Sequence, residues 1–388
     1  VGEDYAIPGQ EYALVFAAAT LVTFLITGGV RAVATAIGAF TPIRDRDVHV
    51  RPTPRMGGVA VYLGVAAGVL MALQLPRLSR AFESSSEIKG VLVAGAVIVL
   101  IGVLDDRFDL DAVTKLAGQI LSAGILVLFG VQWVQMWVPA DNPEGGTTVS
   151  FDSVQGAAIT VLLTLVLANA MNFIDGLDGL LTGVAMIAAI GLFVFSVHQL
   201  VVSKDDTSAS QPPLIAAALV GACLGFLPHN FSPARIFMGD SGSMFIGLTM
   251  AAATTSAGGK LDTSTFGGRS TVALLAPLIV VLAVVFIPVL DFLLAVVRRT
   301  REGRHPFSAD KRHLHHRMLA IGHTQRQAVL IFYLWAALLS ASAVSLAFVT
   351  DAQPVAWLTA AGVLVALTLT LWPWARARRL RRSRAGVG

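Results

Sequence analysis

The sequence predicts an all-α, polytopic membrane protein of about eleven transmembrane helices, with its N-terminus outside and its C-terminus in the cytoplasm. Three observations predict it. Of the 388 residues, 55% are hydrophobic and 13% charged, against roughly 25% charged in soluble domains; the mean hydropathy is +0.73. Apolar runs long enough to cross a bilayer, which takes ~20 residues, recur from one end of the chain to the other. The Lys and Arg residues then fall on one side of the alternation that those runs impose.

The expected spans follow in order. The first, 12–36, is too long for the apolar core of a signal peptide and no basic segment precedes it, so it is read as a retained span. The run 57–75 starts at Gly57-Gly58, behind a loop stiffened by Pro52 and Pro54. A short third span, 90–104, ends in Asp105-Asp106-Arg107. Spans 112–134 and 154–170 are joined by an outside loop to which no chemistry is assigned, as is the loop 202–212. Span 178–201 follows a cluster of Asn, Asp and Gly; 213–228 and 242–257 flank a second such cluster. The chain then runs through 270–297, 327–350 and 355–374. Cys223 is the single cysteine and lies in an apolar run, which excludes a disulfide framework.

Charge sets the orientation. One side holds Arg31, Arg44, Arg46, Arg51, Arg55, Arg107, Lys115 and Arg235, eight more in the loop 298–326 and six in the tail, which makes 22 of the 28 Lys and Arg residues. The acidic residues divide evenly, so the sides carry net charges of about +10 and −6. The basic side is the cytoplasmic one. The pI near 9.5 therefore calls for no nucleic-acid partner, and the Arg-rich tail 375–388 is expected on anionic lipid head groups. Residues 1–388 read as one integral-membrane catalytic domain, with 298–326 as a His- and Arg-bearing cytoplasmic loop.

Every polar cluster capable of chemistry falls on that same side. Asp105 and Asp106 sit at a helix C-terminus, where the macrodipole disfavours negative charge; they want a compensating cation unless they form a merely solvated helix end. Neighbours on a helix point ~100° apart, so the two carboxylates can serve different partners. Asn169-Ala170-Met171-Asn172-Phe173-Ile174-Asp175-Gly176-Leu177-Asp178-Gly179 holds two Asn, two Asp and two Gly, more than helix capping needs, and the i,i+3 spacing puts Asp175 and Asp178 on one helical face. Gly239-Asp240-Ser241-Gly242-Ser243 opens the next helix, offering free N–H groups to a phosphate and an Asp to a hard cation, unless Asp240 or Ser241 is simply its cap. His313-Leu314-His315-His316-Arg317 lies in the most basic loop. Three His allow zinc, but the acids gathered on this side suit Mg²⁺ and phosphate oxygens better; a solvated loop is the plain alternative. Arg51 and Arg55 could meet an anionic head group. Asp291 is either functional or paired with Arg298 and Arg299, and His198 reads as an interfacial residue.

Taken in order over residues ~40–326, these motifs, with His49 and Pro52-x-Pro54-Arg55-x-Gly57-Gly58, resemble the signature of the polyprenyl-phosphate N-acetylhexosamine-1-phosphate transferases. They are most similar to actinobacterial members that load N-acetylglucosamine-1-phosphate onto decaprenyl phosphate, starting the arabinogalactan linker. Val50 stands where many relatives carry Lys, which puts a basic contact there in doubt. The resemblance implies transfer of N-acetylglucosamine-1-phosphate from UDP-GlcNAc to polyprenyl phosphate with release of UMP, at the cytoplasmic face of a bacterial plasma membrane. It implies Mg²⁺, or Mn²⁺, held by Asp240 with Asp106, and Asp105 and Asp106 activating or positioning the lipid phosphate. Asp175, Asp178, Asn172, Asn230 and Phe237 fall to the nucleotide side, His313, His315, His316 and Arg317 to the sugar or diphosphate, and Lys115 to the lipid phosphate. A homodimer is the expected assembly. The alternatives are the lipid I-forming phospho-MurNAc-pentapeptide transferase and, from another class, an ion-coupled transporter, which would need acids near mid-span.

Overall fold

The computed structural model describes residues 7–40, 52–139, 146–202, 210–258, 318–349 and 352–385, with isolated positions between 279 and 303. Among the described residues the protein is all-helical apart from one hairpin. Its helices are α1 Gly9–Ala36, α2 Gly57–Ala72, the short α3 Ala81–Ser84, α4 Glu87–Phe108, α5 Ala112–Leu128, α6 Ser153–Ile174, α7 Leu180–Val202, α8 Gln211–Asn230, α9 Gly239–Gly258, α10 Gln325–Phe348 and α11 Ala352–Ala385. Each expected span coincides with one of these helices except 270–297, which lies outside the described residues, as does Asp291.

Among the described residues seven helices (α1, α4, α6, α7, α8, α10 and α11) are long and apolar enough to cross a membrane. The chain is thus a multi-pass membrane protein. At 16 and 17 residues, α2 and α5 are apolar but shorter; at 1.5 Å per residue they reach ~24–26 Å, under the ~30 Å of a hydrocarbon core.

Helix α9 explains the architecture. It is too polar to rank with the seven, yet every residue of it except Asp240 is buried. Helices α2, α4, α6 and α8 pack around it, so its Ser and Thr face protein rather than lipid. Small residues let its backbone come close to its neighbours: a methyl on Gly58 of α2 or Gly102 of α4 would overlap the backbone of Gly242 or Ser241. Around this centre α1 packs on α2 and α8, and α10 on α7 and α11.

Local chemistry sets the helix ends. Asp111 caps α5 by accepting from the N–H groups of Val113 and Thr114 at 2.9 and 3.0 Å. Capping boxes of Asp152 with Gln155 and Thr324 with Gln327 start α6 and α10. One expectation needs correction. The span set at 112–134 stops at Leu128, where Gly130 turns the chain with φ +92°. Beyond it, β1 Gln135–Pro139 pairs antiparallel with β2 Gly146–Ser150, with Trp137 opposite Thr148, where only a loop was expected.

Candidate active site

The C-terminal ends of α4 and α6 meet the N-terminal ends of α5 and α9 at one end of the bundle. Lys115, one turn into α5, binds two carboxylates: its Nζ lies 2.8 Å from Asp105 Oδ2 and 2.5 Å from Asp240 Oδ2. It is the cation that the helix-end carboxylates require. Asp105 also accepts from the Leu110 N–H at 2.9 Å, which folds the α4–α5 turn back onto it. The other oxygen of Asp240 accepts from Asn172 Nδ2 at 2.9 Å, and the same amide donates to Ser243 Oγ at 3.0 Å. Asp105, Lys115, Asn172 and Asp240 therefore form one hydrogen-bonded chain across four helices.

Asp106 points elsewhere. Its carboxylate accepts the N–H of Asp240 at 2.9 Å, the N–H of Ser241 at 3.2 Å and the hydroxyl of Ser241 at 2.8 Å. It is 5% exposed and caps α9 from another helix. Two expectations change with this. The α9 N-terminus does not offer those two N–H groups to a phosphate, since Asp106 already takes them. Nor does Asp240 or Ser241 cap its own helix; Gly239, at φ +72°, turns the chain so that Asp106 can. With three donors on its two oxygens and little exposure, Asp106 has a different first task from the metal ligation expected of it, whereas Asp240 takes two donors and stays partly exposed.

Asp175 and Asp178 do not share a helical face. Helix α6 ends at Ile174 and α7 begins at Leu180, so both lie in the turn between them. Asp175 stays at the site. Burial and the Asp240 carboxylate push its carboxyl up to about 7, with Arg55 pulling the other way. Asp178 turns aside: its Oδ2 accepts the Ala234 N–H at 3.0 Å. Asn230 also departs from its expected substrate contact. It is 2% exposed, donates to the Ile236 carbonyl at 3.1 Å and accepts from Thr182 Oγ1 at 2.7 Å, so both its polar atoms are used within the protein. Phe237 is half-buried and pairs through its backbone with Pro54 and Gly57 at 2.8 and 3.0 Å. That pairing seats Arg55, whose charge is felt by Asp106 and Asp175. Arg51, His313, His315, His316 and Arg317 lie outside the described residues.

One residue escaped the sequence reading. Gln119, a turn deeper than Lys115 and 2% exposed, accepts from Asn169 Nδ2 at 2.9 Å and faces Met244 Sδ at 3.3 Å. It repeats the Lys115–Asn172–Asp240 layer one helical turn below. Its signal was present: an amide four residues after Lys115 in an otherwise apolar helix.

The charge balance bears on a metal. If all are ionised, Asp105, Asp106, Asp175 and Asp240 carry −4 against +2 from Lys115 and Arg55. The surplus of −2 equals the charge of one divalent cation. Among the described residues no three His, Cys, Asp or Glu side chains converge to cage an ion. Asp240, a partly exposed carboxylate beside these charges, offers the kind of contact Mg²⁺ takes, since that ion keeps several waters and binds through one or two carboxylates. The donor set fits.

A family described as "Glycosyl transferase family 4" matches residues 88–258, which span α4 to α9 and hold Asp105, Lys115, Asn172 and Asp240. The chain is 49% identical over 370 residues, 95% of its own length and 90% of the relative's, to a decaprenyl-phosphate N-acetylglucosaminephosphotransferase of Mycolicibacterium smegmatis. The chain belongs to glycosyl transferase family 4. Other members of the family stand further off. The chain is 32% identical to a probable undecaprenyl-phosphate N-acetylglucosaminyl 1-phosphate transferase of Bacillus subtilis, over 85% of this chain and 84% of the relative. It is also 32% identical to a phospho-N-acetylmuramoyl-pentapeptide-transferase of Desulforudis audaxviator, over 74% and 82%. The family's N-acetylglucosamine-named members thus include the nearer of these three.

Proposed function

We propose that the protein transfers N-acetylglucosamine-1-phosphate from UDP-GlcNAc to a polyprenyl phosphate, decaprenyl phosphate in the first instance, and releases UMP. The observation that carries this reading is Lys115 held between Asp105 and Asp240 at the membrane-surface end of the bundle, in a chain 49% identical to a relative named for that transfer. The same difference in identity favours N-acetylglucosamine over the MurNAc-pentapeptide substrate. An ion-coupled transporter gains no support, since the clustered acids sit at helix ends. We keep the finer topology as part of the proposal: eleven spans, N-terminus outside, active site and C-terminus cytoplasmic, supported by the charge asymmetry. A homodimer is the proposed assembly, which a mass measurement on the detergent-extracted protein tests.

The two flanks of the site differ in character. Beside Lys115 and Asp105, the side chains of Phe108, Val113, Leu116 and Ile120 are exposed and apolar, a surface for lipid tails. A polyprenyl phosphate lying there would bring its phosphate to Lys115. The opposite flank is built from the Asp175 turn, Arg55 and the loop 231–238, polar groups suited to a soluble nucleotide. In the reaction an oxygen of the lipid phosphate bonds to the sugar-linked phosphorus, and the bond from that phosphorus to the bridging oxygen breaks, with UMP leaving on that oxygen. Lys115 and Arg55 offset the crowding of phosphate charge. Asp105 orients Lys115, and Asp106 seats Asp240 by fixing the first turn of α9. Mg²⁺, held by Asp240, would supply charge neutralisation to the phosphates; Asp106 could join it only beyond its bonds to α9. His313, His315, His316 and Arg317 are proposed to hold the sugar or diphosphate.

The test is UMP release by purified protein given UDP-GlcNAc and decaprenyl phosphate, with and without EDTA. Release that EDTA abolishes and excess Mg²⁺ restores is expected. No release from UDP-GlcNAc sinks the assignment; full release in EDTA sinks the metal.

A further inference from the structure

Two segments that carry no motif residue are bonded to the turns behind the nucleotide flank. Both belong to the first turns of α10. Tyr333 donates its hydroxyl to the carbonyl of Gly179, the residue that closes the Asp175–Asp178 turn with φ +79°. Its ring lies so close to Gly183 that a methyl there would overlap it. Arg326 donates from Nε to the Ser232 carbonyl at 3.0 Å, and Gln325 accepts from Ser232 Oγ at 3.3 Å. The two turns are also joined to each other, Asp178 to Ala234 at 3.0 Å and Thr182 to Asn230 at 2.7 Å. α10 is itself anchored from behind: His323 reaches the Thr370 carbonyl at 3.0 Å and Trp335 donates to Thr370 Oγ1 at 3.3 Å. The lipid flank, Asp105 to Ile120, receives none of these bonds.

From this we infer that Tyr333 and Arg326 are positioning residues for the sugar nucleotide: α10 clamps the two turns that present Asp175 and lead into Asp240, and does not act on the lipid phosphate. The inference rests on the transfer reaction proposed above.

Tyr333→Phe keeps the ring against Gly183 and removes only the bond to Gly179. Loss of one such bond is worth about a three- to tenfold change. The KM for UDP-GlcNAc should rise by that factor, with the KM for decaprenyl phosphate unchanged. Arg326→Ala should shift the same constant in the same direction, and Arg326→Lys, which retains a donor, should recover part of it. Hydrogen–deuterium exchange on the intact protein provides a readout that needs no turnover: amides of 175–183 should exchange faster in Tyr333→Phe, and those of 105–115 should not. Equal shifts in both KM values, or unaltered exchange in 175–183, would overturn the clamp. If the wild type releases no UMP from UDP-GlcNAc, the transfer reading fails, the assignment to nucleotide fails with it, and exchange still decides whether the clamp exists.

Discussion

The substitution Asp106→Asn separates a residue that places the site from one that works in it. The wild-type carboxylate accepts three donors, two from Ser241 and one from Asp240. An amide of the same shape has one acceptor oxygen. With that oxygen turned to Ser241, the amide nitrogen confronts the Asp240 N–H, donor against donor. One hydrogen bond to a charged group, about 1.5–3 kcal/mol, is lost, and the two that remain weaken because their acceptor is no longer ionised. Removing one carboxylate from a crowded set offsets part of this. A net loss of about 2–3 kcal/mol remains, which lowers the melting temperature by on the order of 5 °C. Asp240→Asn is the comparator. Its oxygen can still accept from Asn172, and Lys115 keeps Asp105 at 2.8 Å. The new amide nitrogen faces Lys115, but both groups are partly exposed and water can separate them. The melting temperature should therefore fall by less than for Asp106→Asn, about 2 °C. Turnover should nevertheless fall at least a hundredfold, about 2.7 kcal/mol, because the charge that would bind Mg²⁺ is gone. The assay pairs thermal unfolding in detergent with UMP release at saturating Mg²⁺. An Asp106→Asn protein with unchanged melting temperature and no turnover would refute the reasoning, since Asp106 would then act on substrate rather than on α9.

Three further outcomes are expected. Protein given radiolabelled UDP-GlcNAc without lipid should retain no covalent label after denaturation; label on any Asp would show transfer through a phospho-enzyme instead of direct attack. UDP-MurNAc-pentapeptide should give essentially no UMP under conditions where UDP-GlcNAc is consumed, because its peptide-bearing arm needs a cavity that a site for the simpler sugar lacks; equal turnover would move the protein to the other branch of the family. The Asp175 carboxyl, at about 7 when folded and ~4 when unfolded, holds an extra proton in the folded state between those values, so its contribution to stability is full below pH ~4 and is lost as pH rises through 7. In EDTA, Asp175→Asn should therefore gain melting temperature relative to wild type from pH 5 to 8, and a constant difference would show that the group does not titrate there.

The helices were legible because a bilayer imposes length and apolarity on any segment that faces it. The hairpin was not. Val131, Trp133, Val134 and Trp137 extend the apolar run of α5, interrupted only by Gln132 and Gln135, and Gly130 marks the change of direction. Helix α9 shows the converse. It could be read as a span although Ser, Thr and Gly make it poor company for lipid, and the structure explains why: protein encloses it, so its composition answers to close packing.

The same distinction governs the site. Sequence marks which residues are too polar for their surroundings; it does not say what each one faces. Asp105, Asp106, Asp175 and Asp178 stood out as polar groups near helix ends, and Asn230 entered through the family resemblance. Folding divides them by direction. Asp105 meets Lys115, which also binds Asp240 from 125 residues away in sequence, and Asp175 stays near Asp240 and Arg55. Asp106, Asp178 and Asn230 instead accept or donate to the backbone of 234–241. All three hold the segment that ends in Asp240. A buried polar group that fixes backbone is as costly to lose as one that binds substrate, so substitution alone will not separate the two sets; a stability measurement beside each rate will.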